Sequence, residues 1–140
     1  MPILDDEKAL AELVPTLNTI VVVGIKGEDQ SDQAAYEIPA MMRTMGIKVL
    51  GVNPKLGDQA YARLADVPER ADCIDVFRRI DAIPGLVDEI LALPPERRPG
   101  GVWLQSGIRH DEAAARLSAA GMWVVQDRCL GVYARRYRRR

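Results

Sequence analysis

The chain has 140 residues, of which 48% are hydrophobic and 28% charged, a composition typical of one globular domain spanning residues 1–140 and not of a disordered segment. No apolar run approaches the ~20 residues that cross a bilayer, so no membrane association is expected, and the acidic N-terminal residues predict no secretory signal. The two cysteines, Cys73 and Cys129, lie far apart without metal-site spacing, which excludes a disulfide framework and a zinc site and predicts a cytoplasmic location.

The net charge of −1 combines an acidic body with a basic C-terminus. Without the arginines of the last six residues, the chain carries 14 basic against 20 acidic residues, so its bulk charge does not predict nucleic-acid binding. A solvated, frayed terminus is the simpler interpretation of residues 135–140. The alternative is a tail that meets an acidic protein partner or a polyanion. The arginines concerned are Arg135, Arg136, Arg138, Arg139 and Arg140.

In chain order, short apolar runs alternate with helical stretches, beginning with a leading helix within residues 1–16. Predicted helices cover residues 5–14, 31–45, 82–93, 111–120 and 130–137, and predicted strands cover residues 19–23, 47–52, 73–77, 102–105 and 122–126. Ser31 is the predicted N-cap of the second helix. Five strands with crossover helices predict an α/β fold with an open, mainly parallel sheet and helices on both faces.

Ligands of such sheets bind beyond the carboxyl ends of the strands, where the strand order reverses. After the first strand, Gly24 and Gly27 allow close backbone approach, and Lys26 adds a positive charge. The helix that opens at Ser31 directs free N–H groups to the same space, which favours an anion. The segment lacks G-x-G-x-x-G, so an ordinary strand-to-helix turn explains it equally well.

The end of the second strand carries Asn53, Pro54 and Lys55, where a domain that binds NAD usually has an acid. A lysine attracts phosphate and has no acceptor to offer a ribose diol, and Pro54 stiffens the turn before it. A nucleotide with an additional phosphate near its ribose, such as NADP or coenzyme A (CoA), is therefore favoured over NAD. The alternative is a solvated turn lysine.

Four stretches, VVVGIKG, VNPK, DVFRR and DRCLG, together resemble the small stand-alone CoA-binding proteins over roughly residues 17–133. Their single domain is similar to the N-terminal CoA-binding domain of the succinyl-CoA synthetase α subunit. The resemblance implies a Rossmann-type, doubly wound fold and CoA or an acyl-CoA as the ligand. The second domain and partner subunit that the ligase needs are not part of 140 residues, so the reaction is not carried over with the fold.

The resemblance also assigns site residues by position along the bound ligand. The diphosphate would be lined by Gly24, Ile25, Lys26, Gly27 and Ser31. The adenosine end and its 3′-phosphate would meet Asn53, Pro54 and Lys55. The pantetheine or adenine would be bordered by Val76, Phe77 and Arg78, and the arm would continue past Gln105, Ser106 and Gly107. Two acids in the first loop, Glu28 and Asp29, depart from the family pattern because they repel phosphate.

These residues predict a binding module with no catalytic residues. Two alternatives remain open: a small NADP-dependent reductase, and an interaction protein whose nucleotide pocket is vestigial, which the two loop acids favour.

Four side chains invite a catalytic interpretation. Ser106, His110 and Asp111 are close in sequence, but a nucleophile elbow requires glycine where Leu104 stands, so His110 and Asp111 are interpreted as helix-capping residues. Cys129 is either a small buried residue or a reactive thiol beside Arg128 and a helix start, and the latter could form a mixed disulfide with CoA.

Overall fold

The computed structural model describes residues 2–138, which form six β-strands and five α-helices. The strands are β1 (Ile3–Leu4), β2 (Thr19–Val23), β3 (Lys48–Val52), β4 (Cys73–Val76), β5 (Gly101–Leu104) and β6 (Trp123–Val125). The helices are α1 (Glu7–Leu13), α2 (Ala34–Thr44), α3 (Ile83–Ala92), α4 (Asp111–Ala119) and α5 (Leu130–Tyr137). None of the helices within the described range has both the length and the apolar character that a membrane crossing needs.

All six strands are parallel and follow the order β1-β6-β5-β4-β2-β3, which confirms the predicted α/β class and is Rossmann-like. The prediction of five strands was wrong by one, because β1 precedes the predicted leading helix. This strand pairs Ile3 with Val124 and Leu4 with Val125 at the edge beside β6. Two residues are too few to show the alternation by which a strand is recognised in a sequence.

Successive residues of the strands point to opposite faces of the sheet. Val21 and Ile74 pack toward α3 and α4, and we call this side the α3/α4 face. Ile20 and Cys73 pack toward α1, α2 and α5, and we call this side the α1/α2/α5 face. The continuous β-branched run of β2 is explained by this burial on both faces.

The strand order reverses between β2 and β4, because the chain moves to β3 on one side of β2 and then crosses to β4 on the other. Gly24, directly after β2, has a φ of +87°, and a Cβ there would collide with the carbonyl oxygen of Phe77, directly after β4. Glycine is therefore required where the two chain segments diverge, and a crevice opens at this end of the sheet.

The predicted N-cap at Ser31 was wrong. A 3₁₀ turn over Glu28–Gln30 intervenes, and α2 begins only at Ala34, after Gln33. The turn is closed by hydrogen bonds from Gln30 N to the Gly27 carbonyl and from Gln33 N to the Gln30 carbonyl. Ser31 ends this turn at an exposed position, so it contributes no cap to the helix.

The interpretation of the C-terminus as frayed was also wrong for the arginines that the structure describes. Arg135 and Arg136 belong to α5, where Arg136 lies over the rings of Tyr133 and Tyr137. Arg138 donates to the backbone carbonyls of residues 15 and 17, at 3.1 and 3.0 Å. These positive charges therefore contact the chain itself, while residues 139 and 140 lie outside the described range.

Candidate functional site

Two adjoining cavities lie at the carboxyl edge of the sheet, at the crevice between β2 and β4. The first, which we call the turn cavity, has a volume of about 330 Å³, and the second, which we call the helix cavity, about 430 Å³. The turn cavity is lined by Gly24, Lys26, Asn53, Pro54, Lys55, Phe77, Arg78 and Arg79. The helix cavity is lined by Lys26, Gln33, Ala34, Ala35, Ile38, Phe77, Arg78, Arg79, Gln105, Ser106, Ile108 and Cys129. Four lining residues are common to both, so the two cavities share a wall.

The turn cavity is shaped by hydrogen bonds of one side chain, Asn53. Its Nδ2 donates to the carbonyl of Ile25 at 2.7 Å, and its Oδ1 accepts from the amide of Lys55 at 2.9 Å. Asn53 thus ties the loop after β2 to the turn after β3. Because both ends of the amide are engaged, the residue positions Lys55 and the loop backbone at the rim.

The shared wall and the rim of the turn cavity are positively charged. Lys26 is half-buried, while Lys55, Arg78 and Arg79 are exposed. Arg79 faces the carboxylate of Asp81 at 3.7 Å. Within the described residues no carboxylate pairs with the other three, so they are available to an anionic ligand.

The helix cavity owes part of its shape to a proline inside α2. Pro39 has no N–H to donate to the carbonyl four residues earlier, which belongs to Ala35. That carbonyl accepts instead from the amide of Lys26 at 3.1 Å. The loop after β2 is thereby fixed against the start of α2, an arrangement that Pro39 could have signalled in the sequence.

The surface of the remaining lining of the helix cavity is mainly apolar, and its polar or polarisable groups are Gln33, Gln105, Ser106 and Cys129. The sequence left open whether Cys129 faces the site, and the structure places it in the cavity wall. Arg128 forms no hydrogen bond with this thiol among the described residues. Its guanidinium donates to the carbonyl of Asp5 at 2.7 Å and to the hydroxyl of Tyr133 at 2.6 Å, on the side of the N-terminal segment.

A buried acid lies below the helix cavity. Asp75, in the middle of β4, is fully buried, and burial raises the pKa of its carboxyl from 3.8 to about 8. Its Oδ1 accepts from Nε2 of Gln105 at 2.8 Å, and Oε1 of Gln105 accepts from the amide of Leu130 at 3.3 Å. The sequence analysis assigns no role to Asp75. The signal for its importance was an acid inside the apolar run CIDV.

Five residues assigned to the site by resemblance do not line either cavity. Ile25 and Val76 are core residues, and Val76 faces the α3/α4 side. Gly107 lies in an exposed turn with a φ of +81°, where its amide donates to Asp127. The other two are Gly27 and Ser31. The acids Glu28 and Asp29 are likewise exposed and do not line either cavity.

The capping interpretation of His110 is confirmed. Its Nδ1 accepts from the amide of Ala113 at 3.1 Å, at the first turn of α4. The carboxylate of Asp111 contacts Arg109 at 3.0 Å and Gln126 at 3.2 Å. Neither side chain is therefore aligned with Ser106 as in a catalytic triad. In residues 2–138, no cluster of His, Cys, Asp and Glu side chains could hold a metal ion.

Comparison with known proteins agrees with this geometry. The sequence model of the CoA binding domain family matches residues 18–135. The uncharacterized protein YneT of Bacillus subtilis (strain 168) is 29% identical over 127 residues, covering 88% of this chain and 90% of YneT. A Thermus thermophilus structure, cell-free ID.343, superposes with a TM-score of 0.84 at 38% identity, covering 95% of this chain and 99% of its own. A hypothetical protein from Pyrococcus horikoshii OT3 has a TM-score of 0.80 at 23% identity, covering 95% and 92%, and shows the shared fold. The chain belongs to the CoA binding domain family.

Proposed function

We propose that the protein binds CoA or an acyl-CoA without performing chemistry on it. The 3′-phospho-ADP portion occupies the turn cavity, and the pantetheine arm runs through the helix cavity toward Ser106 and Cys129. The observation that carries this proposal is the shared wall of the two cavities, which joins a cationic rim to a mainly apolar slot.

The charges of the turn cavity suit this ligand. CoA bears a diphosphate and a 3′-phosphate, and the cavity is lined by three cations that pair with no carboxylate of residues 2–138: Lys26, Lys55 and Arg78. Lys55, held by the turn that Asn53 organises, is the residue that we assign to the 3′-phosphate. Lys55 and Arg78 are exposed, so each of their charge contacts contributes less than about 1 kcal/mol of binding free energy. The affinity is therefore distributed over the whole rim.

The groups near the helix cavity favour binding over catalysis. The only histidine of the sequence, His110, uses its Nδ1 to cap α4. Asp75 is enclosed below the cavity, where it has no exposed surface from which to exchange a proton with a ligand. We also place the protein in the cytosol, because two lone cysteines suit a reducing compartment.

Thermal denaturation with CoA, dephospho-CoA, NADP and NAD tests the proposal. A ligand that binds the native state stabilises it by RT ln(1 + [L]/Kd), so even weak binding raises the melting temperature at high ligand concentration. We expect CoA to stabilise more than dephospho-CoA, and both to stabilise more than NAD. A larger shift with NADP than with CoA would replace the proposal with a reductase, and no shift with any ligand would leave an interaction protein.

The variant Lys55→Ala tests the assignment of the 3′-phosphate. Loss of one exposed charge contact lowers CoA affinity by roughly 2- to 5-fold and leaves dephospho-CoA affinity unchanged, as measured by isothermal titration calorimetry. The matched control is Lys8→Ala, which removes an exposed lysine of α1 far from the cavities in the sequence and outside their lining. An unchanged preference for CoA over dephospho-CoA would remove Lys55 from the site.

A further inference from the structure

An acid occupies the centre of the sheet, on the face that also closes the helix cavity. Strand register places Asp75 between Val22 of β2 and Trp103 of β5, and it is fully buried there. Its Oδ2 has no hydrogen-bond partner within the described residues. A carboxylate in such a position would be an uncompensated buried charge, whereas a neutral acid is tolerated.

Gln105 connects this acid to the cavity wall. Its Nε2 donates to Asp75 and its Oε1 accepts from the amide of Leu130, so both ends of the side-chain amide are engaged. Leu130 is the first residue of α5, and the residue before it, Cys129, lines the helix cavity together with Gln105. One continuous set of hydrogen bonds therefore runs from the buried acid to the start of α5.

Among residues 2–138 no cation forms an ion pair or a hydrogen bond with Asp75. Its neighbours in the sheet are Val22 and Trp103, and α5 approaches through Leu130. The titratable groups on this side of the sheet include Cys73, whose pKa is raised by burial and by Asp75, and Cys129 in the cavity wall. They also include Tyr133 of α5, whose ring packs against Trp103 and whose pKa is raised mainly by burial. The charged side chains of α1, α2 and α5 are all exposed, namely Glu7, Lys8, Glu12, Glu37, Arg43, Arg135 and Arg136.

We propose that Asp75 is a positioning residue for the helix cavity, which in its neutral form fixes Gln105 and the first turn of α5 and which, on losing its proton, weakens ligand binding. This inference rests on the proposed function. The neutral acid accepts from Gln105 without introducing charge. Ionisation places a negative charge beside a cavity that takes an anionic ligand, and it favours movement of β4 or α5 that would hydrate the carboxylate.

Acetyl-CoA affinity, measured between about pH 6 and pH 9.5, tests the proposal. Acetyl-CoA carries no thiol, and a Cys129→Ser background removes the cavity thiol, so neither group contributes to the profile. At pH values above the pKa of Asp75, we expect the affinity for acetyl-CoA to fall by up to about tenfold per pH unit. The variant Asp75→Asn keeps an acceptor for Gln105 and cannot ionise, so its affinity stays flat. If the affinity for acetyl-CoA fell equally with pH in the presence and absence of Asp75→Asn, the proposal would be overturned.

A measurement without ligand separates this proposal from the proposed function. In NMR spectra of the full chain, the amide signals of Leu130 and Gln105 should titrate together with Asp75, and Asp75→Asn should abolish the change. If the unmodified protein binds neither CoA nor acetyl-CoA at any pH, the proposed function fails, and these signals still decide whether Asp75 controls α5. Signals that do not change with pH would overturn the positioning role.

A second variant isolates Gln105. Gln105→Met breaks the connection and leaves the acid in place, so Asp75 should still titrate while the Leu130 amide no longer follows it. The matched control is Gln126→Met, which removes a glutamine at the end of β6 that bonds to His110 and Asp111 instead. A Leu130 amide that still follows Asp75 in Gln105→Met would show that Gln105 does not transmit the change.

Discussion

The two faces of the sheet are built differently, although the same strands supply both. On the α3/α4 face every buried core residue except Met122 is aliphatic, as Ile74 of β4 illustrates. On the α1/α2/α5 face, the next residue of the same strand is Asp75, and Trp103 beside it donates its indole N–H to the carbonyl of Arg128 at 2.8 Å. The interior of the first face is organised by apolar burial, while polar contacts such as that of Arg116 with Asp88 lie at its exposed edge. The second also depends on specific hydrogen bonds, and it is the face that adjoins the helix cavity.

The largest difference between the faces should appear in the pH dependence of stability. The carboxyl of Asp75 keeps its proton in the native state up to about pH 8, whereas the unfolded chain loses it near 3.8. Between these values the native state holds more protons, so the free energy of unfolding falls as pH rises, by about 1.4 kcal/mol per pH unit from this group. Urea denaturation of the unmodified protein and Asp75→Asn at several pH values measures the effect.

The comparison must be made as a difference between the two proteins, because other groups titrate in the opposite sense. The pKa of Glu7 is lowered by hydrogen bonds from Tyr133 and Tyr137, so its contribution is lost as pH falls. This contribution is common to both proteins and cancels in the difference. Parallel stability curves from about pH 5 to pH 8 would show that Asp75 is already ionised in the native state.

A substitution on the other face should give a smaller effect that does not depend on pH. Ile74→Ala removes a fully buried side chain and leaves a cavity, which costs about 2–5 kcal/mol of stability. The loss should be constant from about pH 5 to pH 9, because the core around Ile74 on this face is aliphatic. Ile3→Ala, at a 45% exposed position, is the control and should cost far less. A loss for Ile74→Ala that varies with pH would mean that the two faces are coupled.

The elements that the sequence predicted best are those with a continuous local signal. The β-branched run 19–23 and the amphipathic segment 130–137 have the bounds that were predicted for them. The start of α2 was misplaced, because the side chain of Ser31 suggested a cap while the preceding residues closed a turn of their own. β1 was missed because a strand of two residues is defined by its partner β6 and not by its own pattern.

The residues of the site also divide into those with a local signal in the sequence and those without one. The rule that ligands meet the carboxyl ends of strands selected Lys26, Lys55 and Arg78, all of which lie at the cavities. The pair of Asp75 and Gln105 could not be selected, because the two residues are 30 positions apart and meet only through the pairing of β4 with β5. Burial that turns an acid into a neutral partner is likewise a property of the folded chain.

The smallest effect concerns how the α1/α2/α5 face is closed. The guanidinium of Arg138 donates to the carbonyls of residues 15 and 17 and to Oδ1 of Asn18, and so ties the end of α5 to the segment before β2. Because the side chain is partly exposed and loses conformational freedom in these contacts, Arg138→Ala should cost only about 1 kcal/mol. Arg135→Ala, which removes an exposed contact to Met41, is the control and should leave stability unchanged.

Hydrogen exchange shows where that loss occurs. In Arg138→Ala the amides of α1 and α5 should exchange faster, since these helices contact each other and depend on the contacts of the C-terminus. The amides of α3 should keep their protection, because Ile83, Leu86, Val87 and Ile90 belong to the core of the opposite face. If α3 lost protection to the same extent, the two faces would open as one unit, and the independence argued from Ile74 and Asp75 would be wrong.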